Sequence, residues 1–240
     1  AEGVGGLILV PGLEGARAYR ELLDGGVPLV AIDRYVADLD ADSVTVDNVE
    51  GAAAAVRHLV ALGHRRIAIA TGPANVSTAT ERLQGYLLAL AEAKIPRDDE
   101  LIVHGPFRQE GGLEATARLL ALPRPPTAIF AASDFIALGV LRALHERRMR
   151  IPEECAVVTF DDMPWAAALS PPLTAVAQPT YEIGATAARL LLERMRHPER
   201  PRQRVKLHTQ LVIRASCGAK TPAVIAVGAP ASEAAPKLKH

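Results

Sequence analysis

The sequence predicts an α/β fold built on parallel sheets, and three observations carry that expectation. Short apolar runs rich in Val, Ile and Leu recur about every thirty residues, the spacing of a βαβ unit. Between them lie amphipathic stretches whose apolar residues fall three and four apart. The runs are apolar throughout instead of alternating, as strands covered on both faces by helices should be. At 240 residues and 49% apolar side chains, the chain suffices for one large domain or two small lobes, each with its own core.

Taken in order, the first run is Leu7–Val10 and the second, Pro28–Ile32, ends at Asp33. A helix from about Asn48 to Leu62 follows, with Val49, Ala53, Val56 and Val60 on one face, an N-cap oxygen from Asp47 or Asn48, and Gly63 to close it. The run Arg66–Ala70 gives way to Thr71 and Gly72. The next helix, about Ala79 to Lys94, repeats Leu83, Tyr86, Leu87 and Leu90 at helical spacing before Pro96 stops it. Leu101–His104, Thr127–Ala131 and Ala156–Phe160 complete the runs. A last helix, about Tyr181 to Arg196, is expected to bury Gly184, Ala187, Ala188, Leu191 and Met195. Thr221 to His240, rich in Ala, Pro and Lys with no sustained period, reads as a mobile tail.

Composition and motifs exclude several classes of function. No apolar run approaches the roughly 18–20 residues a bilayer needs. Ala1, Glu2 and Gly3 lack the basic start of a signal peptide, so a cytoplasmic protein without a membrane partner is expected. The net charge is zero, which supplies no basic stripe for nucleic acid within this chain. Cys155 and Cys217 stand in no metal-ligand spacing and read as packing thiols. The patterns GxxxxGK[ST], HExxH, GxSxG and CxxC are absent, and Gly3-Val4-Gly5-Gly6 precedes a strand instead of following one. His58 and His64 flank one helix end and do not cluster as a base or metal site. The expectation is a protein without catalytic residues, metal or cofactor.

What remains is a binding cleft. In an open parallel sheet, ligands sit beyond the carboxyl ends of the strands, where loops converge and helix N-termini point donors. Asp33, Thr71, Gly72, Phe107, Ser133, Asp134, Asp161 and Asp162 all follow apolar runs. Any one of these Asp or Ser residues alone is an ordinary N-cap; together they favour a polar cleft. Arg82 offers a planar fork of donors, the aspartates paired acceptors, Gln178 both, and Phe107 or Trp165 a surface for an apolar sugar face, a set that suits a polyhydroxylated small molecule. Each has a plainer reading: Arg82 as a solvated arginine paired with Glu81, and Trp165 as a core residue.

Several segments together resemble the lac-repressor and galactose-repressor family. They are Gly6–Pro11; Val27–Asp33; Asp47-Asn48 through Leu62-Gly63-His64-Arg65-Arg66-Ile67; Glu81-Arg82-Leu83-Gln84-Gly85-Tyr86; Pro125–Asp134 with Ala137-Leu138-Gly139; Ile151-Pro152 and Val157–Asp162; Pro171-Pro172-Leu173-Thr174 with Gln178 and Pro179; and Leu211–Cys217. The order and spacing hold from about Gly6 to Cys217. The resemblance implies a two-lobed, periplasmic-binding-protein-like fold with parallel sheets flanked by helices. The N-terminal lobe would comprise 1–46 and 178–207, the C-terminal lobe 47–177 and 208–218, and 219–240 a flexible tail. It also implies a first lobe incomplete at its N-terminus, since the family's first lobe opens with two further strands and their helices.

Effector positions of the family carry over to Asp33, Thr78, Arg82, Phe107, Ser133, Asp161 and Gln178, with Val46 and Trp165 as weaker candidates. Ser133 departs from the amide or carboxylate many members place there, which leaves the sugar's identity open. The function implied is a sensing domain of a transcriptional regulator, in the complete protein a repressor. Its partners would be a sugar-like effector, operator DNA reached through a helix-turn-helix head, and a second copy in a homodimer. A sugar-binding protein of a transport system shares the fold and stands as the alternative.

Overall fold

The apolar runs form strands within a residue of their expected limits. The computed structural model describes residues 4–12, 16–35 and 39–228. In chain order these hold β1 (Leu7–Leu9), α1 (Ala16–Asp24), β2 (Leu29–Ile32), β3 (Asp42–Val46), α2 (Asn48–Ala61), β4 (Ile67–Thr71) and α3 (Ser77–Glu92). Then come β5 (Ile102–His104), α4 (Gln109–Leu120), β6 (Ala128–Ala131), α5 (Asp134–Glu146), β7 (Ala156–Phe160) and β8 (Thr174–Ala177). The chain continues through α6 (Thr180–Arg196), β9 (Arg204–Leu207), β10 (Gln210–Ile213) and β11 (Ala223–Ala226).

The strands divide between two sheets, one per lobe. The smaller has the order β1-β2-β3-β9, and all its pairings are parallel. The larger has the order β11-β10-β8-β7-β6-β4-β5, parallel from β8 to β5 and antiparallel where β10 and β11 join. Its inner strands β4 and β7 are buried at every position, which is why they lack polar alternation. The alanine-rich α2 lies close against α3. A Cβ on Gly85 would run into the Val49 carbonyl and Ala52, so only glycine lets the two backbones meet there.

Three segments carry the chain between the sheets: Asp47 from β3 to α2, Gln178-Pro179 from β8 to α6, and His208-Thr209 from β9 to β10. Two of them are tied together. Asp47 Oδ1 accepts from the Thr209 N–H at 2.9 Å and from Thr209 Oγ1 at 2.8 Å, and its Oδ2 lies 2.9 Å from His208 Nδ1. This corrects the expected N-cap on α2: Asp47 occupies the cap position, but neither its side chain nor that of Asn48 caps the helix.

Helix α6 has its expected length but a different buried face. Ile183, Ala187, Leu190 and Arg194 are buried, whereas Gly184 and Ala188 are exposed, Leu191 is half-buried and Met195 is 45% exposed. The cause is electrostatic. Asp42 at the start of β3 is fully buried and accepts from Arg194 Nε at 3.0 Å, Arg194 Nη2 at 3.2 Å, Arg200 Nη2 at 3.1 Å and the Gln203 N–H at 2.7 Å. A buried carboxylate must be paired, so Arg194 is drawn inward and turns the helix with it.

The tail expectation also changes. β11 pairs with β10 in register from Ala223 opposite Ile213 to Ala226 opposite Gln210. Val227 is 4% exposed, and its N–H donates to the Thr209 carbonyl at 3.0 Å. The chain is therefore ordered through Gly228, and the remainder of the expected tail lies outside the described residues, as do residues 1–3. Among the described residues no helix is long and apolar enough to cross a membrane.

Removing one partner of the Asp42 cluster strands two arginines in a dry site. Asp42→Ala is expected to cost about 3–5 kcal/mol in urea unfolding, whereas breaking the exposed Arg142–Glu146 pair should leave the midpoint within error of wild type.

Candidate functional site

Strand ends build the site. β2 stops at Asp33 and β7 at Asp161, and both residues adopt the left-handed backbone, with φ of 68° and 75°. Each N–H still donates to the neighbouring strand, Asp33 to the Val44 carbonyl at 3.1 Å and Asp161 to the Val176 carbonyl at 2.9 Å. The chain then turns at once. Outside glycine this conformation costs about 1–3 kcal/mol, and strain of that kind concentrates at binding sites.

The other contributors are the first two turns of helices and one strand-to-helix turn. Thr78 and Arg82 come from α3, Ser133 and Asp134 from the start of α5, and Phe107 from the turn after β5. Gly72 makes room for the Phe107 ring, which a Cβ there would strike. Ser133 Oγ caps α5 by accepting from the Ile136 N–H at 3.3 Å. Its ordinary helix-capping role and its place in the cleft coexist.

These residues surround one cavity of about 270 Å³ between the lobes, lined by Asp33, Arg34, Thr78, Arg82, Phe107, Ser133, Asp134, Phe135 and Asp161. Arg82 dominates it. The residue is 3% exposed, so the reading as a solvated arginine paired with Glu81 does not hold. Its Nε donates to Asn48 Oδ1 at 2.9 Å and its Nη1 to the Ala132 carbonyl at 2.7 Å. Nη1 also lies 3.6 Å from Asp161 Oδ2, and the guanidinium stacks 3.7 Å above the Phe160 ring. Nη2 bonds to none of the described residues.

Of the expected site residues, Asp33, Thr78, Arg82, Phe107, Ser133 and Asp161 meet at this cavity. Gln178 stands one step back, with its Nε2 donating to Asp161 Oδ1. Val46 and Trp165 do not line it. Val46 is 1% exposed in the core, on the face of β3 it shares with Val44. Trp165 lies in a short turn of 3-10 helix, Pro164–Ala168, and packs against the core that includes Ala166 and Leu173. Sequence reasoning did not name Arg34 and Phe135, and it placed Asp134 among the polar residues of the cleft without counting it as a ligand position. Arg34 had a signal, since it follows Asp33 at the same strand end; its Nε donates to Asp33 Oδ2 at 3.0 Å.

Burial and then the like charge of Asp161 push the Asp134 carboxyl above its ordinary range. Burial pushes the Cys155 thiol up to about 12, which leaves it inert. A larger depression of about 700 Å³ lies along the later turns of α5, lined by Leu138, Leu141, His145, Met149 and Leu169 among others. It is mostly apolar and away from the strand ends, so the smaller cavity is the better ligand site.

Comparison with known proteins places the chain. A family described as a periplasmic binding protein-like domain matches residues 56–217. The chain belongs to it. Within that family it groups with regulators of the lac-repressor type. The ribose operon repressor of Haemophilus influenzae is 38% identical over 213 residues, 89% of this chain and 64% of that protein. The chain spans 49–64% of the length of the curated repressors it matches. Among solved structures, a regulator from Enterococcus faecium with bound ribose has a TM-score of 0.81 at 32% identity, covering 89% of this chain and 79% of that one. The complex of the regulator CelR with cellobiose has a TM-score of 0.83 at 36% identity, covering 89% of this chain and 66% of that one.

In this periplasmic binding protein-like domain, the raised Asp134 carboxyl has a pH signature. Below the ordinary aspartate range the group is neutral folded or unfolded and contributes nothing. As pH rises through the raised folded value, the folded state must carry a charge it disfavours, so stability falls relative to a neutral side chain. Asp134→Asn should therefore melt higher than wild type at pH 7 and equal to it near pH 3; an unchanged difference across that range in calorimetry would remove the assignment.

Proposed function

We propose that this domain is the sensing part of a transcriptional repressor, closing its lobes around a single sugar ring and altering operator affinity through a DNA-reading segment of the complete protein. The observation that carries the reading is the Arg82 guanidinium, held between Asp161 and Asn48 at the wall of a cavity shared by the two lobes. Its Nη2 is the donor offered to a ligand hydroxyl, Nη1 being engaged by the Ala132 carbonyl and Asp161, and Asp33 and Asp161 offer acceptors. Phe107 supplies a face for the apolar side of a ring. The cavity of about 270 Å³ has room for a sugar ring. The repressor relatives and the ribose-bound neighbour support both the regulatory role and the ligand class.

The site binds and does not catalyse in this reading: its acidic groups serve as acceptors, and among the described residues no nucleophile is paired with a base around the cavity. Asp33 and Arg34 come from the smaller lobe and the other lining residues from the larger. A ligand touching both favours the closed arrangement and shifts the lobe equilibrium by its differential affinity. The complete protein acts as a homodimer, since a two-fold operator needs paired reading heads. This chain alone should show no sequence-specific DNA binding, because its charge is balanced; nanomolar operator binding in a mobility-shift assay at physiological salt would contradict that.

A calorimetric screen of monosaccharides, ribose first, identifies the effector. With it, Asp161→Ala is expected to weaken binding by about 2–4 kcal/mol, because it removes a charge-assisted acceptor for ligand, leaves the Gln178 amide without its partner and takes one of the acceptors facing Arg82. Arg82→Ala should weaken binding at least as much, but it also strands buried partners, so Arg82→Lys is the cleaner probe of the fork. Affinity unchanged in both Asp161→Ala and Arg82→Lys would end the assignment of this cavity as the effector site.

A further inference from the structure

We infer that Asn48, which does not line the cavity, is the positioning residue that sets the orientation of the Arg82 guanidinium and ties it to the first crossing between the lobes. The inference rests on the proposed role of Arg82 in gripping ligand. Asn48 is the first residue of α2, immediately after Asp47, and is 1% exposed. Its Oδ1 accepts from Arg82 Nε at 2.9 Å, and its Nδ2 donates to Glu81 Oε2 at 2.8 Å and to the Val46 carbonyl at 3.4 Å.

The chemistry leaves little choice of side chain. Arginine presents only donors and an ionised glutamate only acceptors, so a group set between them must accept on one side and donate on the other. The same logic fixes which way the amide faces. Aspartate would face Glu81 with a second carboxylate; an aliphatic side chain would satisfy neither neighbour.

Two consequences follow for Arg82. A long flexible side chain is immobilised through its Nε, so the edge that faces ligand is the Nη edge, and the ordering is complete before ligand arrives. Nη1 already serves Ala132, and Nη2, which bonds to none of the described residues, is the donor left for a hydroxyl. The second consequence is coupling. Val46 ends β3 in the smaller lobe and Asn48 begins α2 in the larger, so the one carboxamide bonds across the crossing and to the ligand-facing arginine.

The test uses Asn48→Leu, Asn48→Asp, and Asn48→Asp combined with Glu81→Gln, in which the donor and acceptor between positions 48 and 81 are exchanged while the acceptor for Arg82 is kept. One measurement is the Arg82 Nε–H resonance and its protection from solvent exchange by nitrogen-15 NMR, assigned by its loss in Arg82→Lys. The other is the affinity for D-ribose, the probe sugar, by calorimetry. Asn48→Leu should lose the protected Nε–H and weaken ribose by about tenfold or more while keeping a cooperative melting transition. Asn48→Asp should weaken it, and the double variant should restore both the signal and the affinity to near wild type. Should Asn48→Leu fail to fold, the Asn48→Asp series decides alone. A protected Arg82 Nε–H in Asn48→Leu, or a double variant no better than Asn48→Asp, would overturn the inference. Wild-type protein that ignores ribose would count against the ligand assignment and leave the resonance to decide the role of Asn48.

Discussion

An arginine with 3% of its surface exposed is the constraint around which the larger lobe is arranged. An unpaired charge at that depth costs several kcal/mol, so Arg82 is tolerated only where acceptors converge on it. They come from separate parts of the chain: the Asn48 amide at the start of α2, the Ala132 carbonyl after β6, the Asp161 carboxylate after β7, and the Phe160 ring in β7. No single element supplies them. α3 must approach α2 closely enough for the Arg82–Asn48 bond, which is what the bare backbone at Gly85 permits. β6 and β7 must lie side by side with their carboxyl ends level, which their parallel register provides. The same closeness that satisfies the charge builds the cleft.

The smaller lobe is organised by the opposite charge. Asp42, fully buried, is held by Arg194, Arg200 and the Gln203 backbone, and so it fixes the rotation of α6 and the course of the chain into β9. Hydrophobic pattern alone would have turned α6 to bury Ala188 and Met195. Apolar burial at about 25 cal/mol per Å² is gained by several rotations of such a helix, whereas a buried carboxylate accepts only the one that brings its arginine. A directional interaction decided between arrangements that a non-directional one left nearly equal.

This contrast explains what could be read in the sequence. Strands covered on both faces announce themselves as apolar runs, so β4, β6 and β7 were legible to within a residue. β3, Asp42–Val46, was not among the runs: its first residue is charged, and its burial depends on Arg194, 152 residues away. β9 alternates exposed and half-buried positions at a sheet edge and so carries no apolar run; β11, Ala223–Ala226, is apolar in sequence but exposed along its length and set in a stretch rich in Ala and Pro, which hid it. At the site, residues that follow strands were legible because parallel sheets place ligands there. Asn48 was legible only as a cap. Nothing local to Asp47-Asn48 shows that a buried arginine and a glutamate from α3 will claim its amide, and such pairings exist only once α2 and α3 have packed.

The site's position at the crossings is what would let a small ligand move large parts. The core runs without a break from Val30 and Val44 in the smaller sheet through Val56 to Val158 in the larger, so the lobes share apolar contact as well as chain. A change in the lobe arrangement of the kind proposed would have to bend the chain at the crossing segments. Asp47 binds two of these to each other through Thr209, and the third holds Gln178, whose amide bonds to Asp161. Each charged group of the larger lobe proposed to grip the ligand is thus one hydrogen bond from a crossing: Arg82 through Asn48 and Asp161 through Gln178. Moving a two-state equilibrium from 1:99 to 99:1 requires about 5.5 kcal/mol of differential affinity. Hydrogen bonds to charged groups contribute about 1.5–3 kcal/mol each, so two to four that form only when Asp33 and Arg34 close onto the ligand opposite Arg82 and Asp161 would suffice. A ligand bound by the larger lobe alone, however tightly, would leave the equilibrium where it was.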